Sequence, residues 1–397
     1  MLGEKMKYLI GIMSFLVIFI LAILASNNRG AIRYRPLVVM LFCQFTFAGL
    51  LLKTSLGNQV IAVIAGAFTH LMAYASEGVN FVFGGLQNHG ELSFFISVLL
   101  PIVFVSALIG ILQHLKILGF LIRYIGLGLS KINGMGRLES YNAVASAVLG
   151  QSEVFISVKQ QLGFLPQHRL YTLCTSAMST VSMAIVGAYM AMLEPRYVVT
   201  ALVLNLFGGF IIASLLNPYQ VEPQEDILTV SEGHQSFFEM LSEYILDGFK
   251  VALIVGAMLI GFIALITMMN AIFTAIFGIS FQALLGYLFA PMAYLVGVPW
   301  HETVDAGSLM ATKIVSNEFV AMLSLKSMAA EFSVRTMAVL SVFLVSFANF
   351  SSIGIIVGAI KALNNEQGNS AARFGLKLLY GATLVSFLNA TIVGLFF

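Results

Sequence analysis

Gly150-Gln151-Ser152-Glu153 and Ser316-Asn317-Glu318-Phe319 are two short polar interruptions in a very apolar sequence. Each sets a carboxylate beside an amide side chain, with Ala, Val, Leu, Ile, Phe and Met on both sides. A carboxylate at bilayer depth costs about 2.5 to 3.5 kcal/mol on insertion scales, so it persists where it faces an aqueous cavity, a partner or a ligand. A loop at the membrane surface would hold an acid at no cost. Finding the arrangement twice argues for a functional site instead.

The surrounding composition explains why these acids stand out. Of 397 residues, 59% are hydrophobic and only 10% charged, with mean hydropathy +0.96. A soluble chain carries about 25% charged residues, so this is a polytopic membrane protein with no large soluble domain. Apolar runs of about 17 to 25 residues are of helical length, whereas a β-barrel would show short alternating segments. A net charge of +2 with scattered Lys and Arg excludes a nucleic-acid partner. Cys43 and Cys174 lie in apolar runs without ligand spacing, and are read as small core residues rather than a disulfide or metal ligands. No cofactor or metal motif is present.

The first apolar run, about 8–26, is too long for a signal sequence and is kept as a membrane helix. The loop 27–36 holds Arg29, Arg33 and Arg35, which places it in the cytoplasm and the N-terminus outside. A second span covers about 37–52. Residues 54–92 carry Asn58, His70, Glu77, Asn80 and the Gly-rich stretch 81–87, a pattern for an interfacial helix and a tight turn, with His70 and His89 at that surface. These first 92 residues form a peripheral segment. A span at about 93–113 is followed by 115–132, apolar residues broken by basic ones, predicted to lie on the cytoplasmic face.

Residues 138–165 contain the first interruption. A full crossing would carry Lys159, His168 and Arg169 outside, while a re-entrant hairpin keeps them inside. The hairpin is the reading adopted. A span at 171–193 has a polar centre of Thr175, Ser176, Ser179, Thr180 and Ser182. Such residues either satisfy the backbone of an unwound membrane helix or serve close helix packing, and both readings remain open. After a span at about 198–216, the polar stretch 217–245, with Glu222, Glu225, Asp226 and Glu232, is a cytoplasmic linker.

The second half repeats this order: a span at about 250–270, an amphipathic stretch near 281–288, a hairpin at 300–332 with the second interruption, a Ser-rich span at 336–360 and a last span at 377–397. Leu138 and Glu139 before the first interruption match His301 and Glu302 before the second. The fold class is therefore all-α and polytopic, with eight transmembrane helices, two re-entrant hairpins and interfacial helices. The repeats cover 93–216 and 246–397. Three crossings per half make the repeat inverted and place both termini outside the cytoplasm, and most Lys and Arg residues fall on the inner side. Inverted repeats with broken helices are the architecture of secondary transporters, whose substrate sits near the midplane. Carboxylates, amides and free helix ends suit a neutral, hydroxyl-rich solute, because an anion would call for Arg or Lys, and apart from Lys313 the hairpins keep their bases at their ends.

At these residues the sequence resembles the concentrative nucleoside transporter family, most closely its bacterial permeases. The resemblance rests on 150–153, on Asn317-Glu318-Phe319-Val320-Ala321, and on Phe347-Ala348-Asn349-Phe350-Ser351-Ser352-Ile353-Gly354. The stretches 81–86 and Gly297-Val298-Pro299-Trp300 add to it. It implies a homotrimer in the bacterial cytoplasmic (inner) membrane that imports pyrimidine nucleosides and adenosine by alternating access, as a symporter and not an enzyme. It also implies substrate contacts at Gln151, Ser152, Glu153, Asn317, Glu318, Phe347, Asn349 and Ser352. Gln151 and Glu153 would serve the base end, Glu318, Asn349 and Ser352 the ribose, and Phe347 an apolar wall. Sodium-coupled members carry oxygen ligands where this chain has Ser146, Leu149, Ala184 and Ile185, and Ala184 offers no side-chain oxygen. This favours a coupled proton, carried by Glu153 or Glu318, over sodium. A carrier of a free nucleobase is a further alternative. An intramembrane hydrolase is disfavoured because no Ser–His or Cys–His set lies at membrane depth.

Overall fold

The computed structural model describes residues 2–86, 93–222, 226, 228 and 236–397. Gln87, His89, Glu225 and Glu232 lie outside the described residues. Those described are mostly helical and include no strand. Helices α1 (Leu2–Leu24), α2 (Tyr34–Lys53) and α3 (Ser55–Phe83) open the chain. A π-turn at Phe95–Leu99 leads into α4 (Ile102–His114), then α5 (Ile117–Asn133), α6 (Arg137–Leu149), α7 (Glu153–Ser157) and α8 (Lys159–Leu162). Next come α9 (Gln167–Ser179), α10 (Met183–Met192) and α11 (Pro195–Leu216). The second half holds α12 (Phe237–Phe277), α13 (Phe281–Leu295), α14 (Thr303–Val315) and α15 (Glu318–Ser327). It ends with α16 (Val334–Leu344), α17 (Phe350–Leu363), α18 (Asn365–Arg373) and α19 (Gly375–Phe396).

Among the described residues, eight helical segments are long and apolar enough to cross a membrane. They differ from the expected set in two places. Residues 55–83 form one continuous helix of 29 residues where an interfacial helix with a tight turn was expected. Thr54 caps it by accepting from the Gly57 amide, and its polar residues Asn58, His70, Glu77 and Asn80 are all exposed, so nothing interrupts the backbone. By length and composition this helix could itself cross. Conversely, the Ser-rich segment 336–360 is broken into α16 and α17, of 11 and 14 residues, about 16 and 21 Å at 1.5 Å per residue, each by itself too short for a core of about 30 Å. The linker is also shorter than predicted, because α12 begins at Phe237 behind its Ser236 cap and runs for 41 residues. Helix α18 was not foreseen. Its polar sequence NEQGNSAAR starts at an Asn364 cap.

Burial divides the helices. The α9–α10 segment is 89% buried over its most apolar window, whereas α3 and α12 are only 17% buried. Helices α9, α10, α11 and α19 thus form an inner core, and the apolar faces of α3 and α12 are left outward. Close approach fixes the pairing of α13 with α14: a Cβ on Gly307 would lie 2.6 Å from the Gly286 carbonyl, so only glycine admits that contact.

Candidate functional site

Both polar interruptions become helix breaks with the acid at the first position of the following helix. Gly150 has φ +122°, a conformation that side chains rarely adopt, and the chain restarts at Glu153 as α7. In the second half the Asn317 side chain accepts from the Val320 amide at 3.0 Å and caps α15, so Glu318 becomes its first residue. The unpaired amides and positive dipole end of a helix start favour a carboxylate there.

The two Ser-rich segments are broken as well, and the breaks touch. Helices α9 and α10 are separated at 180–182, where the Ser182 hydroxyl donates to the Leu149 carbonyl at 3.1 Å and accepts from the Ala184 amide. That bond joins the first interruption to the first break. Helices α16 and α17 are separated at 345–349, and the Phe347 amide donates to the Thr180 carbonyl at 3.1 Å, joining break to break. Asn349 caps α17 by accepting from the Ser352 amide at 2.9 Å.

Glu318 is the best-held acid of the set. Tyr189 from α10 donates its hydroxyl to one carboxylate oxygen, and the Asn349 amide donates to the other, both at 2.8 Å. The carboxylate is 4% exposed. Glu153 is partly exposed. Gln151, Asn317, Phe347, Asn349 and Ser352 are all buried, while Ser152 is half-buried. Two of these atoms, Gln151 Oε1 and Ser352 Oγ, are buried without a hydrogen-bond partner. Buried polar atoms are rarely left so, and both await a ligand or water.

Two of the positions weighed as sodium ligands, Ser146 and Leu149, make bonds within the chain. The Ser146 hydroxyl donates back to the Asn142 carbonyl at 2.7 Å, and the Leu149 carbonyl accepts from Ser182. Ala184 contributes no side-chain oxygen.

Sequence reading missed several supporting residues. Tyr189 sits in an apolar half-helix, and the one available signal was that a buried tyrosine needs an acceptor. Asn205 donates to the Val345 carbonyl at 2.7 Å and accepts from Asn389, which itself accepts from Gln44, so a chain of amides props the second break. At the base of the first unit, Arg169 holds Glu139 with two bonds of 2.6 and 3.0 Å, and Tyr219 adds a third. Burial and the Glu139 charge raise the Tyr219 phenol well above its ordinary range, so it stays a donor.

Sequence comparison accounts for the arrangement. Residues 13–86 and 197–394 match the profiles of the N- and C-terminal parts of the Na+ dependent nucleoside transporters, and residues 95–196 match a nucleoside recognition profile. The chain is 36% identical over 395 residues to the purine nucleoside transport protein NupG of Bacillus subtilis, covering 98% of this chain and 100% of that one. It is 29% identical over 407 residues to the nucleoside permease NupC of Helicobacter pylori, covering 98% and 97%. The fold superposes on CNTnw in an inward-facing substrate-bound state with TM-score 0.93 and 30% identity, over 99% and 98% of the two chains. A substituted CNTnw in an outward-facing state matches with the same TM-score, identity and coverage. This chain therefore belongs to the concentrative nucleoside transporter family, a family of membrane permeases that take up nucleosides by alternating access and are not enzymes.

Proposed function

We propose that the protein is a proton-coupled nucleoside symporter of the bacterial inner membrane, taking up pyrimidine nucleosides and adenosine. The observation that carries this reading is the Glu318–Asn349 pair beside the two touching breaks, together with Gln151 Oε1 and Ser352 Oγ, two buried polar atoms without a hydrogen-bond partner. In this reading Glu318, Asn349 and Ser352 take the ribose hydroxyls, Gln151, Ser152 and Glu153 face the base, and Asn317 and Phe347 complete the wall. A carboxylate accepts from a vicinal diol, and an amide can pair with a base edge.

Proton coupling is supported by Ala184, whose methyl brings no side-chain oxygen to the positions weighed as sodium ligands. Between the two candidate carriers, Glu153 is favoured, because Glu318 already accepts from Tyr189 and Asn349. One charge moving inward gains about 2.3 kcal/mol per 100 mV, which corresponds to about fortyfold accumulation. A single proton thus suffices to scavenge dilute nucleoside.

The two polar units act as re-entrant hairpins in inverted repeats, 93–216 and 246–397, supported by the parallel element order of the halves. With α3 at the interface and α16–α17 as one broken crossing, the chain crosses eight times and both termini are extracytoplasmic. The outward apolar faces of α3 and α12 accord with assembly as a homotrimer in the bilayer.

Uridine uptake into proteoliposomes under an imposed inside-alkaline gradient, with and without sodium, tests the coupling. Stimulation by the gradient in sodium-free buffer is expected; dependence on sodium with no response to pH would overturn it. Similarity to a purine nucleoside transport protein favours a second reading in which purine nucleosides are the substrates. Competition of uridine uptake by cytidine, adenosine, inosine and guanosine separates the two. Competition by free bases with none by ribosides would overturn the ribose contacts altogether.

A further inference from the structure

Lys313 is fully buried in the last turn of α14, and among the described residues its ammonium is held by neutral acceptors. Its three protons have three acceptors: the Phe343 carbonyl at 2.6 Å, Ser346 Oγ at 2.7 Å and Ser386 Oγ at 3.0 Å. Ser346 and Ser386 are themselves 2.9 Å apart. All donors of the ammonium are therefore used. Lys313 is not available to a ligand, which is consistent with a neutral substrate.

The acceptors lie at one place in the fold. Phe343 is in the last turn of α16, where carbonyls lose their helical partners, Ser346 is inside the second break, and Ser386 projects from α19. Lys313 thus ties the helix before Glu318 to the segment before Asn349. The Glu318–Asn349 bond at 2.8 Å ties the same two segments again, a few residues further along each. Two ties fix an angle that a single tie leaves free.

We propose that Lys313 is a positioning residue that sets the geometry of the Glu318–Asn349 pair, and thereby the selectivity of this end of the site for a ribose hydroxyl. Displacement of a functional group by about 1 Å can cost about 100-fold, so loosening one tie need not unfold the protein to be felt. The proposal rests on the ribose reading of Glu318, and its test keeps the two separable.

The measurement is KM and maximal rate for uridine and for 3′-deoxyuridine in proteoliposomes of the full chain, for Lys313→Met, Ser386→Ala and Glu318→Gln. Lys313→Met is expected to raise the uridine KM about tenfold and the 3′-deoxyuridine KM less than about threefold, so that their ratio collapses. Ser386→Ala removes one acceptor and is expected to shift the ratio about threefold in the same direction. If Lys313→Met does not reach a folded state, the Ser386→Ala ratio decides, and an unchanged ratio overturns the role. Equal rises for both nucleosides, the result of general loosening, overturn it too. Loss of the ratio in Glu318→Gln but not in Lys313→Met overturns Lys313 and leaves the ribose reading standing; retention in both overturns both.

Discussion

The two polar units occupy corresponding places in the two halves, yet they are held differently. At the base of the first, Glu139 forms a fully buried ion pair with Arg169 at the start of α9, with Tyr219 added. At the base of the second, Glu302 accepts only from the Ser333 amide and hydroxyl at the start of α16, with the exposed His301 beside it. At the tips the asymmetry reverses. Glu318 is gripped by Tyr189 and Asn349, while Glu153 stands partly exposed at the first position of α7. The first unit is anchored at its base and loosely held at its acid, and the second is the opposite. Starting a helix on an acid after a break thus does not give the two acids equivalent chemistry, because each meets a different set of neighbouring side chains.

The largest effect is expected at the bases. Glu139→Gln removes the negative charge from a buried ion pair, a loss of about 3 to 5 kcal/mol, whereas Glu302→Gln forfeits neutral donors worth about 1 to 2 kcal/mol. Thermal unfolding of the detergent-solubilised variants should separate them, and equal midpoints would erase the contrast. Next, Glu318→Gln should reduce uridine uptake by about 100-fold, since two bonds to a charged group are weakened and 1.4 kcal/mol is a factor of ten, with surface expression unchanged. Normal uptake by that variant would remove Glu318 from the site. Glu153→Gln should abolish accumulation driven by a pH gradient, about fortyfold at 100 mV, while nucleoside exchange across the membrane continues. If the gradient still drives uptake in Glu153→Gln, the assignment of the loose acid as carrier fails. The smallest effect belongs to Ser182→Ala, which cuts the bond from the first break to Leu149. A buried hydrogen bond between membrane helices averages about 0.6 kcal/mol, so transport should fall no more than about threefold. A loss as deep as that of Glu318→Gln would show that the first tip is held as tightly as the second.

Much of this was legible in the residues. Gln151, Glu153, Asn317, Glu318 and Asn349 stood out because polar groups are costly in an apolar run, while the Ser-rich centre at 175–182 fitted either a broken helix or close packing, and the structure has the break. The helix over 55–83 was harder, since scattered polar residues look the same on a helix at the interface and on one long enough to cross. The break at 345–349 was expected within a single span, but its division into two helices that are each too short depends on the Asn349 cap and on the bonds from Thr180, Asn205 and Lys313. Tyr189 and Ser386 gave little warning: each is one polar residue among apolar neighbours, and its partner lies far along the chain.

Membrane class, helical architecture and the identity of the costly acids follow from composition and from hydrophobic run length, because the expense of a polar group in lipid is a local property of the chain. The partners of those acids do not follow. Whether Glu318 meets a tyrosine and an amide, whether Glu153 stays partly open, and where the Lys313 protons go depend on side chains from helices tens to hundreds of residues apart. Burial then requires every polar group to find a partner, and it is packing that decides which one.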